Sequence, residues 1–314
     1  MPEVSQVHVD AALTNLAVGY RNPAFISDEL APIVPVRKQF DRYFIYDSER
    51  EAFRASDDRR APGAEANEVD FALSTDSYHC EDHALTSVIP DEERDNADPP
   101  IQPNIDRTEF LRDKIDLNKE IELAALLTDD AVITQSETLS GDDQWSDFAN
   151  SDPVAAVEAK KAAVIEAVQT MPNTLVLPYE VYAKVRVHPA VVDRAKFTTL
   201  NVIGPGLLAQ IFDVERVLVP RALVNTAPPG QAASMAFVWG KDALLCHVPS
   251  RPALKTIAVA ATFQWTGAAG SLAGNSVEMW REDRRKSDVI RVQRYYDQKA
   301  IAPGAAYLWK AAVA

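Results

Sequence analysis

The tightest run of metal-ligating residue types is His79-Cys80-Glu81-Asp82-His83. Along an extended chain the side chains alternate, so positions 79 and 83 share a face and Cys80 points the other way. No second CxxC or HxxxH lies nearby to complete a tetrahedral set, and Cys246-His247 is a distant pair. The run therefore reads as unlinked residues at a strand end, with no metal. A GxSxG nucleophile elbow, a GxGxxG loop and a phosphate-binding GxxxxGK loop are missing. Gly204-Pro205-Gly206 and Gly267, Gly270 and Gly274 read as turn glycines. Paired carboxylates occur at Asp57/Asp58, Glu92/Glu93, Asp129/Asp130 and Asp142/Asp143, all in polar breaks where a solvated face is expected rather than a glycosidase dyad. No catalytic, cofactor-binding or metal residue is assigned. A soluble hydrolase or oxidoreductase would need a convergent polar pocket, and no spacing offers one.

The remaining chemistry is that of charge. Arg281-Glu282-Asp283-Arg284-Arg285-Lys286 alternates in sign, which suits a turn between strands or a salt-linked contact between subunits better than a phosphate groove. Arg59-Arg60 reads as the same kind of element. The chain carries 46 acids and 32 bases in 314 residues, a formal charge of −14. Residues 1–100 hold a net −12, residues 101–200 a net −7 and residues 201–314 a net +5. That polarity is expected where parts of one chain face parts of another copy. It disfavours tight phosphate binding by the surface as a whole. Two cysteines cannot build a disulfide scaffold. No apolar run reaches the roughly 20 residues of a membrane helix, so no membrane partner is expected. The first residues, MPEVSQVHVDAAL, lack the apolar stretch of a signal peptide.

The elements that would carry these residues are mixed. In residues 1–36, Pro23, Pro32 and Pro35 exclude a long helix or a central strand. Yet Phe25, Ile26, Leu30, Ile33, Val34 and Val36 are apolar and must be covered, by the chain's own body or by a neighbour. The segment reads as an arm lying on another surface. Residues 37–90 read as a long hairpin with a polar tip, its arms carrying Tyr43, Phe44, Ile45 and Tyr46 on one side of the tip and Phe71, Leu73 and Thr75 on the other. After a charged break, 106–133 predicts a long helix, capped by Asn104 or Asp106. Its stripe is Phe110, Leu117, Ile121 and Ala124, with Leu111 and Ile115 at the edge and Arg112 reaching Asp116 at i,i+4. Asp152-Pro153 starts an Ala-rich helix. Short strands are predicted at 175–177, 211–220, 235–247 and 257–266, with a closing hairpin at Val277–Trp280 and Val289–Tyr295. AAYLWKAAVA is apolar enough to end inside a core. The class is α+β with long extensions, not a doubly wound sheet.

The order of these elements, with YRNPAFISDELAPIVPV, PNTLVLPYEVYAKVRVHP and RVQRYYDQKAIAPGAAYLW, resembles the tailed-phage major capsid proteins of the HK97-like fold. The resemblance implies an N-terminal arm (1–36) and an E-loop with flanking strands (37–90). It further implies a P-domain (91–149 and 276–299, spine helix 106–133) and an A-domain (150–275 and 300–314). It implies a shell subunit forming pentamers and hexamers of an icosahedral head, assembled in the bacterial cytoplasm and found in the virion. The alternative is an encapsulin-like shell that holds enzyme cargo. Implied partners are other copies of the chain, a portal protein, a separate scaffolding or decoration protein, and double-stranded DNA bound non-specifically. Candidate inter-subunit contacts are Phe25, Ile26, Tyr43, Phe44, Tyr46, Arg59, Arg60, Arg284 and Arg285. Only about 36 residues precede the hairpin, so a large built-in scaffold is not expected. Residues 39–73 contain Asn67 but no lysine, so a shell held without covalent cross-links is expected.

Overall fold

A computed structural model of the chain describes residues 8–9, 24–45, 74–97, 101–196, 203–250, 256–267 and 274–314, with positions 55, 58–60, 63, 65–66 and 68 of the hairpin tip. Its axis is one strand, β14 (Ser287–Ala300), longer than the alternation at Val289–Tyr295 suggested. β14 pairs antiparallel with β13 (Asn275–Glu282), Val277 opposite Val292, as the predicted closing hairpin requires. The charged run forms the turn between them, and Lys286 closes it at φ 45°. Gly274 enters β13 at φ 79°, where a Cβ would sit 2.6 Å from the Gln264 side chain, so only glycine fits. β14 also pairs with β5 (Glu81–Pro90) and, near its end, with β12 (Ala260–Trp265). β1 (His8–Val9) joins β13 at one edge, and β2 (Ile33–Val36) joins β12 in parallel at the other. Pro35 is tolerated because β2 is an edge strand.

This corrects part of the arm reading. Residues 24–36 lie on the chain's own body, with Ile26, Leu30, Ala31, Val34 and Val36 all buried. The hairpin exists as an antiparallel ribbon of β3 (Phe40–Ile45) and β4 (Ser74–His79). Its base belongs to the same body, because Tyr43 and Tyr78 pack on Phe263 with ring centroids 5.2 and 4.6 Å apart. Phe71 and Leu73 lie outside the described residues.

The long helix spans Pro103–Leu127 rather than 106–133. Pro103 takes the first position, where its missing N–H costs nothing. Gln102 holds the cap position, and Asp106 accepts the Gln102 N–H at 3.1 Å from within the helix. Asp129 ends it by accepting the Ala131 N–H at 2.9 Å in a turn. The predicted register is rotated. The buried face is Thr108, Leu111, Arg112, Ile115, Lys119, Glu120, Leu123, Ala124 and Leu127. Phe110 is 52% exposed, and Leu117 and Ile121 are half-buried. Ala124 and the edge residues Leu111 and Ile115 are buried as read, but three charged residues share that face, so a reading of hydrocarbon alone centred the stripe too far towards Phe110, Leu117 and Ile121.

A second sheet runs β6 (Ser136–Thr138), β15 (Ala306–Lys310), β11 (Ala243–Cys246), β7 (Thr174–Val176) and β8 (Arg216–Leu218). It is buried on both faces. Leu175, Leu245, Tyr307 and Trp309 face a core shared with the helices Pro153–Val168, Tyr179–Val185, Pro189–Ala195 and Pro205–Ile211. Val176, Leu244 and Leu308 face Leu123 and Leu127 of the long helix. This is the period-2 alternation of a strand read on two cores. Asp152 caps the first of those helices as expected, accepting the Val154 and Ala155 N–H groups at 2.9 and 3.1 Å. The C-terminus ends in the core at Ala312 and Val313. A small ribbon of β9 (Leu223–Asn225) and β10 (Met235–Phe237) stands apart. The sheets cross the expected domain boundaries at two points: β6 joins the sheet of the Ala-rich helix, and β12 joins the sheet of β14.

Candidate functional site

The surface candidates scatter. Ile26 is 5% exposed and Tyr43 3%, so both side chains are taken up by this chain's own core. The Tyr43 hydroxyl donates to Asp76 Oδ2 at 3.2 Å, and burial followed by Asp76 pushes its pKa up. Phe25 is half-buried and lines a surface cavity of about 260 Å³ with Phe110, Lys114, Leu117, Arg221 and Leu223. Phe44 pairs with Thr75 in the ribbon, and its side chain lies outside the described residues, as does all of Tyr46. Arg59 and Arg60 are exposed at the hairpin tip. Arg284 and Arg285 are exposed in the turn after β13, where Arg285 Nε lies 3.5 Å from Glu282. The strongest pair of that charged run is Arg281, which grips Asp91 through two contacts of 2.5 Å. The run therefore serves a strand turn inside the subunit.

The histidine–cysteine run is not brought together. His79 is exposed, Cys80 is buried beside the Phe263 carbonyl at 3.5 Å, and His83 stacks on Tyr296 with ring centroids 4.0 Å apart. Burial pushes the Cys80 and Cys246 thiols up to about 12, which leaves them protonated and unreactive near neutral pH. Among the described residues, no group of three or more His, Cys, Asp or Glu side chains could hold a metal ion. Among them, too, no helix is long and apolar enough to cross a membrane.

What sequence reasoning missed is a charged cluster under the long helix. Arg112 Nε meets Asp116 Oδ2 at 2.7 Å, and Arg294 from β14 meets Asp116 Oδ1 at 2.8 Å. Lys119, fully buried, is salt-bridged to Asp28 of the short helix Ser27–Leu30. Three cations thus share two carboxylates. Burial alone would raise the Asp28 carboxyl, but Lys119, Arg294 and Arg112 together bring it down to about 2. The excess cation falls on Lys119, the only one of the three that sheds a proton readily. Burial, then the nearby Arg294, lowers it to about 8 against the pull of Asp28. Glu120, one residue on, has no salt-bridge partner among the described residues. Its carboxylate accepts N–H groups from Ile26, Ser27 and Trp239, and burial raises its pKa. The i,i+4 pair Arg112–Asp116 was the one trace of this cluster in the sequence.

A subunit with no catalytic constellation among its described residues, an extended ribbon and two sheets joined through a long helix has the α+β fold related to the HK97-like capsid folds. Among solved structures, a phage-related protein from Bordetella bronchiseptica RB50 matches with TM-score 0.78 and 26% identity, over 97% of each chain. The capsid of the Cyanophage P-SCSP1u shares the fold with TM-score 0.62 at 9% identity, over 93% of this chain and 89% of its own. The major capsid protein of Pseudomonas phage JBD67 is 30% identical over 310 residues, 98% of this chain and 97% of its own. That of Burkholderia phage BcepMu is 28% identical over 251 residues, 77% of this chain and 76% of its own. No family model matches the sequence. The chain belongs to the HK97-like phage major capsid protein family.

Proposed function

We propose that this chain is the shell subunit of an icosahedral phage head, assembling into pentamers and hexamers that enclose double-stranded DNA. The observation that carries the reading is the end-to-end match with a phage major capsid protein, 98% of this chain against 97% of the relative. Rings need a distinct patch on each side of every subunit. On this reading the residues before Ala24 serve as the arm and the hairpin beyond Ile45 as the E-loop. The helix Pro103–Leu127 with β5, β13 and β14 serves as the P-domain. The five-stranded sheet and its helices serve as the A-domain at the capsomer axis. Because Tyr43 and Ile26 are buried at home, the contact to a neighbour falls to Phe25, Phe44, Tyr46 and the arginines Arg59, Arg60, Arg284 and Arg285. The partners are further copies, a portal protein, a scaffolding or decoration protein, and DNA held non-specifically. A net charge of −14 favours weak DNA contact, which lets packaged DNA slide. Assembly would take place in the bacterial cytoplasm, and the mature location is the virion.

Negative-stain microscopy of the purified protein tests this. Particles, rings or sheets are expected, and discrete monomers under every assembly condition would sink it. Nucleic acid in purified particles separates a phage head from a cargo shell. Deleting residues 56–68 is expected to leave a folded, soluble subunit that forms no particles.

A further inference from the structure

One carboxylate joins three separate stretches of chain. Glu120 lies on the buried face of the long helix and is 0% exposed. Its Oε1 accepts the Trp239 Nε1–H at 2.6 Å, and its Oε2 accepts the Ser27 N–H at 2.8 Å. The Ile26 N–H is shared between them at 3.2 and 3.1 Å. Ile26 and Ser27 start the short helix of the N-terminal strap, residues 24–36. Trp239, 3% exposed, ends the ribbon segment, residues 221–239. The two segments also touch where the Arg221 N–H donates to the Ala24 carbonyl at 3.2 Å. The ribbon folds back on itself where Val238 N–H donates to the Ala222 carbonyl at 3.0 Å. The buried cations of the cluster under the helix are committed elsewhere, Lys119 to Asp28 and Arg112 and Arg294 to Asp116. The charge of Glu120 is therefore held by neutral donors from both segments, the Ser27 hydroxyl among them. Withdrawing one donor leaves a buried carboxylate undersatisfied, which favours local opening that brings it water and so releases the remaining donors as well.

We infer that Glu120 is a coupling residue that orders the N-terminal strap and the β9–β10 ribbon as one unit, so that loosening one loosens the other. The ribbon carries Leu223 and Met235, 43% and 58% exposed, so a contact made there is felt at the strap, residues 24–36. This goes beyond the shell reading and does not depend on it, since the coupling lies within one subunit.

Amide hydrogen exchange on the full-length subunit, kept below its assembly concentration, tests the coupling. Trp239→Phe removes the ribbon's bond to Glu120 and leaves both strap amides their acceptor. The expected result is exchange at Ile26 and Ser27 at least tenfold faster, together with the ribbon amides, and Leu175 and Leu245 unchanged. Unchanged strap amides would overturn the inference, and so would an equal rise at every amide, which reports general destabilisation. Glu120→Gln should speed exchange in both segments. On that background Trp239→Phe should add less than twofold, whereas additive effects would show two independent anchors. Trp239→Phe alone decides the matter if Glu120→Gln does not fold. Particle formation is read separately by microscopy, so failure of the coupling and failure of the shell reading give different results.

Discussion

The five-stranded sheet buries hydrocarbon on both faces, whereas the long helix buries charge among its hydrocarbon. Leu175, Leu245 and Trp309 on one side of the sheet, and Val176, Leu244 and Leu308 on the other, are hydrocarbon or aromatic. Under the helix, Arg112, Lys119, Glu120 and Arg294 are each less than 5% exposed. The sheet is held by non-directional burial, which tolerates small shifts in position. The helix adds to its own buried hydrocarbon a set of pairs that tolerate almost none, because a buried charge is stable only with its partner in place. The difference teaches where position is specified. The sheet forms a stable layer, while the charged cluster fixes how the N-terminal segment and β14 dock on the helix.

The largest loss should come from the hydrocarbon side. Trp309→Ala, which empties a site packed by Trp145 at 5.5 Å between ring centroids, should cost about 3–5 kcal/mol. Urea unfolding of the soluble subunit measures this, and the loss should be the same at pH 7 and pH 4. Soluble subunits are needed because contacts between subunits stabilise the folded form by mass action.

Next in size is the register of the helix. Leu123→Ala should cost about 2–5 kcal/mol, and Phe110→Ala, on the exposed side, within about 0.5 kcal/mol. Comparable losses for both would place the apolar stripe where the sequence first suggested and remove the contrast between the regions.

Asp28→Asn should cost about 2 kcal/mol at pH 7. Its folded pKa of about 2 lies below the ordinary aspartate value of 3.8. The stabilisation is therefore fully present above about pH 4 and is lost as pH falls through 2. The gap between wild type and variant should close over that window, unlike the gap for Trp309→Ala. A gap independent of pH would mean that the carboxylate is not held by the cations.

The smallest effect belongs to Lys119→Met. Asp28 loses its direct partner but keeps Arg294 and Arg112 nearby, and the cost of burying the Lys119 charge is relieved, so the net change at neutral pH should stay within about 1 kcal/mol. Lys119 binds its proton less tightly folded, near 8, than the usual 10.5. Between those values the unfolded chain holds more protons, so wild-type stability should rise with pH from 8 towards 10.5. Lys119→Met should lack that rise in urea titrations at pH 7.5 and 10. A large loss on this substitution would show that the cluster needs all three cations.

Much was determined by the sequence alone. The Asp152-Pro153 start, the hairpin of β3 and β4, the β13–β14 pair and the buried C-terminus follow from local rules: a cap, an alternation, a turn. The order of those elements carried the likeness to capsid proteins. Tertiary structure alone decided the rest. Ile26 and Tyr43 read as sticky surface residues, but nothing local says whether an apolar segment with three prolines folds onto its own body or onto a neighbour. Here β12 offered an edge and Phe263 a ring. The face of the long helix was likewise undecided, because Arg112, Lys119 and Glu120 look like solvent-facing residues until their partners are in place. Those partners come from far along the chain: Asp28 lies 91 positions from Lys119, Trp239 119 from Glu120, and Arg294, which shares Asp116 with Arg112, 178 from that carboxylate. A charge is buried only where distant chain supplies its counterpart, and no periodicity records that.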